Sequence, residues 1–206
     1  MNLINNLGTS KEIKKEKAKI LFQFTLMLVA SVVCGICFSQ LLSENTLFEI
    51  SKKIQLHFSS FFGNCYYVED YLGKLLCLSS SNLISILILF IFSFSFLNYI
   101  ISDIIITFHG FCFGMNFSLF RMISFPQIGT RSSLLYLVSH FLLLLLLSFY
   151  AYTMALYSLK LRLFTNNGRA IVSKKLLFKI ILFTLTILGT ILIINGLYCL
   201  FIFLLK

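Results

Sequence analysis

Five stretches of this chain run for at least 17 residues without a single Asp, Glu, Lys or Arg: residues 20–43, 75–102, 104–120, 132–159 and 180–205. A helix needs about 20 mostly apolar residues to cross the hydrocarbon of a bilayer. Four stretches are long enough as they stand. The third becomes so if its helix begins near Asn98 or Tyr99. Composition agrees: 59% of the 206 residues are apolar and only 12% are charged, against about a quarter charged in an ordinary soluble domain. Such a chain cannot cover a globular surface with charge. Disorder is excluded, because it requires few apolar residues. Six Cys in 206 residues fall short of the density of a secreted disulfide scaffold. An all-α, polytopic membrane protein remains, with lipid as its first partner.

The formal net charge of +10 raises a nucleic-acid partner. The reading fails because the basic residues form no compact face. They sit in short segments between the apolar runs, where topology places them in membrane proteins.

Residues 75–120 contain one charge, Asp103. A single span would leave over 20 apolar residues unused, so two spans with a tight turn near residues 96–103 are expected. Asn98 and Asp103 then lie near the N-terminus of the third helix, where an amide caps and a carboxylate complements the helix dipole. Charge bias tests the count. Lys11, Lys14, Lys15, Lys17 and Lys19 precede the first span. Lys160, Arg162, Arg169, Lys174, Lys175 and Lys179 lie between the fourth and fifth. Both segments read as cytoplasmic, which requires an even number of spans between them. Five spans satisfy this, at about 20–42, 76–97, 99–120, 134–158 and 180–203, in one domain with the N-terminus inside and the C-terminus outside. The first apolar run is too long for a signal-peptide core and is followed by no A-x-A site, so it reads as a retained anchor.

The outside then holds one sizeable piece, residues 44–74. Leu47, Ile50, Ile54, Phe58 and Phe61 recur there at helical spacing, which predicts a short amphipathic helix on the outer membrane surface. Asn64-Cys65-Tyr66-Tyr67 suits interfacial anchoring.

Chemistry-bearing residues are scarce. Asp103, His109, His140 and Asn195 are the intramembrane polar candidates, the class of residue that marks function or interhelical bonding at depth. Asp103 and His109 are six residues apart, about 240° around a helix, and do not share a face. No H-E-x-x-H, G-x-S-x-G or Walker A motif occurs, and neither catalytic nor metal-ligating residues are assigned. Cys34-Gly35-Ile36-Cys37 has C-x-x-C spacing but lies in an apolar span without a second pair, so no metal or other cofactor is expected. Cys65 and Cys77 pair outside the membrane or stay as thiols; the spacing leaves both open. Gly110 and Gly114, continued by Ser118, form a small-xxx-small face that admits a neighbouring helix closely, and Gly35 with Ser31 offers the same on the first span.

The order of these features resembles a known family. A Lys-rich start precedes a span with Phe24-Thr25-Leu26-Met27-Leu28 and Gly35. A short outer segment with Phe61-Phe62 follows. Asn82-Leu83-Ile84-Ser85-Ile86 opens the second span, and His109-Gly110-Phe111-Cys112-Phe113-Gly114-Met115 lies in the third. A later span ends in Ala155-Leu156-Tyr157-Ser158-Leu159-Lys160-Leu161, before a basic loop and a last span. This layout resembles the stage II sporulation protein M family of endospore-forming bacteria. The family's fourth span tends to carry a Pro where this chain has Ser139-His140-Phe141. The resemblance implies a multi-pass cell-membrane scaffold for engulfment, without catalytic residues, that holds two peptidoglycan-degrading partners, stage II sporulation proteins D and P. The alternative from residues alone is a permease subunit of an ATP-driven, ABC-type transporter, with the basic loop coupling to an ATPase.

Overall fold

A computed structural model describes residues 2–43, 45–46, 48–50, 52, 68–95, 97–122, 129–166 and 174–204. Among them the chain is helical and carries no strand. The long helices are α1 (Asn2–Gln40), α2 (Val68–Phe92), α3 (Asn98–Met122), α4 (Gly129–Asn166) and α5 (Lys174–Leu204). Each is rich in Leu, Ile, Phe and Val, and none contains Pro. In hydrocarbon a helix satisfies its own backbone, which an open strand cannot do. All five are long and apolar enough to cross a membrane, over residues 14–40, 75–92, 98–120, 134–158 and 176–201. The protein is therefore a multi-pass helical membrane protein.

The helices overrun the apolar stretches. α1 has 39 residues, about 58 Å at 1.5 Å per residue, and continues N-terminally through the lysines. α4 has 38 residues and continues past Ser158. Of the outer amphipathic helix expected from Leu47, Ile50, Ile54, Phe58 and Phe61, residues 45–46, 48–50 and 52 are described and helical; the rest lies outside the described residues, and so does the aromatic group around Tyr66.

The turn between α2 and α3 falls between Phe92 and Asn98, earlier than the expected 96–103. Two corrections follow. Asp103 lies in the second turn of α3, past the first-turn positions that the helix dipole favours most. Asn98 does not cap with its amide: it is fully buried, and among the described residues neither its Nδ2 nor its Oδ1 has a hydrogen-bond partner. Ser95 organises the turn instead, accepting Leu97 N–H on Oγ at 3.2 Å and Asn98 N–H on its carbonyl at 3.3 Å. Ser158 Oγ of α4 donates to the same carbonyl at 2.9 Å. A short polar side chain that bonds nearby backbone offers the chain an alternative to the helical ladder, and here Ser95 takes that role.

Side-chain pairs fix the direction of each helix. Phe24 of α1 stacks on Tyr99 of α3, and Phe38 meets Phe111, so α1 and α3 are parallel. Phe113 meets Phe141 while Phe120 meets Tyr136, so α3 and α4 are antiparallel. Tyr136 meets Tyr198 while Tyr150 meets Phe183, so α4 and α5 are antiparallel too. The tight turn makes α2 and α3 antiparallel. Directions thus alternate along the chain, and the α1 start, the α4 end and the α5 start share one end of the bundle. Both basic segments belong to that end.

The core is formed by Ile86, Leu89, Ile106, Leu147, Tyr150, Met154, Ile180 and Ile191. The exterior is apolar as well: Phe22, Phe178 and Ile193 are 71%, 66% and 63% exposed. In water such a continuous apolar coat would drive aggregation; in lipid it is the solvated surface. Exposed Thr25, Thr153 and Thr186 return their hydroxyls to the carbonyl four residues back, at 2.8–2.9 Å, so that they carry no unmet donor into lipid.

Candidate functional site

Two sets of side chains stand out: the α1–α3 seam and the polar groups buried between helices. The seam is backbone against backbone. A Cβ placed on Gly35 would overlap the Phe111 carbonyl oxygen and come within 2.9 Å of the Met115 nitrogen. On Gly114 it would overlap the Val32 carbonyl oxygen, with the Val32 carbonyl carbon at 2.9 Å. On Gly110 it would overlap Ser31 Oγ. The two small-residue motifs therefore face each other, Ser31 and Gly35 of α1 against Gly110 and Gly114 of α3. Ser118, next on the α3 stripe, is 4% exposed.

At the end of the seam nearest the basic segments lies a chain of polar groups. Tyr99 Oη donates to Gln23 Oε1, and Gln23 Nε2 donates to Asp103 Oδ2 at 2.8 Å. The Asp103 Oδ1 atom is shielded and has no partner among the described residues. Gln23 was not singled out from sequence, though it is the one amide inside the first apolar run, the other Gln lying at its end.

His109 turns the other way, as the spacing from Asp103 requires. Its Nε2 is 2.8 Å from Ser85 Oγ of α2. That hydroxyl is also 2.8 Å from the Ser81 carbonyl oxygen. The single Ser85 proton can go to either acceptor, according to the tautomer of His109. His140 of α4 lies with its ring centroid 3.9 Å from that of Tyr136. Asn195 of α5 is 2% exposed, and its Nδ2 donates to Ser79 Oγ of α2 at 2.9 Å. Tyr150 Oη and Thr184 Oγ1 are 2.9 Å apart between α4 and α5. Asp103 and Asn195 thus have separate neighbours, whereas His109 of α3 and His140 of α4 lie within electrostatic reach of each other.

Among the described residues no group of three or more His, Cys, Asp or Glu is placed to hold a metal ion. Cys34, Cys37 and Cys77 are exposed free thiols; Cys65 lies outside the described residues.

No protein-family model, curated protein or solved structure matches this chain.

Proposed function

We propose that the chain is a non-enzymatic scaffold of the cell membrane, in the manner of the stage II sporulation protein M family that its layout resembles. The observation that carries this reading is how the buried polar groups are used. Gln23, Ser85, Asn195 and Tyr150 each bond a neighbouring helix. These four groups tie helices together, whereas a permease needs polar groups that face a solute path. A rigid bundle with helices projecting past the membrane at the basic end is suited to holding other proteins. By the same resemblance the partners are the peptidoglycan-degrading stage II sporulation proteins D and P, and no cofactor takes part.

The test is affinity purification of the tagged chain from solubilised membranes of cells forming endospores. Peptidoglycan-degrading proteins among the co-purifying species support the scaffold. An ATPase subunit in their place supports the transporter reading and overturns this one. The proposed sidedness has its own check in reporter fusions: cytoplasmic signals at Lys17 and Asn166, external signals at Ser59 and Lys206. A cytoplasmic signal at Lys206 contradicts the odd span count.

A further inference from the structure

Three buried polar atoms near the start of α3 have no hydrogen-bond partner among the described residues: Asn98 Nδ2, Asn98 Oδ1 and Ser102 Oγ. Both residues are 0% exposed. Four residues apart on one helix, they share a face, with Cβ atoms about 5–6 Å from each other. A buried polar group left unpaired carries its full desolvation penalty. Three such atoms on a single turn therefore require an explanation.

Ser102 departs from the habit of the other buried hydroxyls. Ser31, Ser39, Ser93, Ser139 and Thr184 each donate to a carbonyl of their own helix three or four residues back, at 2.6–2.8 Å. The same bond is open to Ser102, through the carbonyls of Tyr99 and Asn98. Its hydroxyl makes neither bond. The nearby turn offers the Asn98 amide nothing. The Ser95 carbonyl already accepts the Asn98 N–H at 3.3 Å and the Ser158 hydroxyl of α4 at 2.9 Å, and a carbonyl has two lone pairs.

The three atoms define the chemistry of what would satisfy them. Nδ2 only donates, Oδ1 only accepts, and a hydroxyl does both. A cation would serve Oδ1 and leave Nδ2 unmet. An anion would do the reverse. Water both donates and accepts, and a buried water makes about three hydrogen bonds. Two hydrogen bonds of about 2.8–2.9 Å span the one-turn gap between the side chains. We propose that α3 holds an internal water site in which water bridges the Asn98 amide to the Ser102 hydroxyl, beside the α2–α3 turn. The inference stands apart from the scaffold reading, which requires no internal water.

The experiment uses the full chain, labelled with nitrogen-15, in lipid nanodiscs. It reads cross-peaks between water protons and assigned side-chain amides in a rotating-frame Overhauser spectrum, where through-space contact and proton exchange differ in sign. Asn195 is the internal control: it is 2% exposed, and its Nδ2 donates to Ser79 Oγ at 2.9 Å. A through-space water cross-peak is expected at the Asn98 amide and none at the Asn195 amide. No such peak at Asn98, or equal peaks at both, overturns the proposal. Ser102→Ala takes away one partner of the water and should weaken the Asn98 peak. Ser102→Thr keeps the hydroxyl and should retain it. Unchanged Asn195 signals show that either variant folds. A peak of the same strength in both variants, or lost equally from both, overturns the bridge.

Discussion

The α1–α3 and α4–α5 contacts join helices of similar composition by opposite means. Along α1–α3, glycines bring main chains together until a carbonyl stands where a methyl group would go. Along α4–α5, large side chains fill the gap: Tyr150 stacks on Phe183 at 5.8 Å, Phe149 meets the same ring at 6.1 Å, and Tyr136 meets Tyr198 at 6.0 Å. Lipid tails are as apolar as Leu, so burial alone does not drive either contact; close packing and interhelical hydrogen bonds do. A main-chain contact leaves no rotamer to relax. A side-chain contact can repack. The two seams therefore differ in tolerance.

The largest effect is expected from Gly35→Leu and Gly114→Leu. Overpacking typically costs about 1–3 kcal/mol, and here the opposing atoms are backbone on both sides. Membrane abundance and detergent thermal stability should both fall. A stable, abundant Gly114→Leu protein would break the distinction between the seams.

A smaller, more diagnostic effect is expected at Gly110. The atom in the way there is the Ser31 hydroxyl, a side chain, with Ser31 Cβ at 3.2 Å and Leu28 Cδ1 at 3.4 Å behind it. Gly110→Ala should destabilise the protein, and Ser31→Ala combined with it should recover part of the loss. Touching residues are expected to be non-additive in this way. Strict additivity in a double-mutant cycle would show that the two residues do not meet.

Polar substitutions should matter least. Tyr150→Phe and Asn195→Ala each remove one interhelical hydrogen bond, worth about 0.6 kcal/mol on average in a membrane. Measured by thermal unfolding, both should lie well below the glycine variants, and His140→Ala should also be mild. If His140→Ala or His109→Ala instead abolished function at normal protein level, a catalytic role would replace the packing one.

Much of this was legible from sequence, for reasons that differ by residue. Charge-free runs fix the spans, because ionised groups are expelled from hydrocarbon whatever the packing. The Gly110/Gly114 face was visible because small residues four apart share one side of a helix. Its pairing with Ser31 and Gly35 was not, since a stripe of small residues does not say which helix it meets. Asn98 was misjudged as a cap: the turn closes earlier, and Ser95 takes that place. Gln23 carries no signal of its role in the sequence, since Tyr99 and Asp103, far along the chain, are brought beside it only by the fold.

The central claim is that the environment of a helical glycine, and not glycine itself, decides its worth. Gly114 and Gly189 both lie inside spanning helices, yet a Cβ on Gly189 meets nothing within 4 Å. Thermal unfolding of Gly114→Ala beside Gly189→Ala, in the same detergent or nanodisc, makes an identical chemical change at both. Gly189→Ala should match or exceed the parent, because Ala is about 1 kcal/mol the better helix former. Gly114→Ala should unfold at clearly lower temperature. Equal midpoints for the two variants would contradict the account.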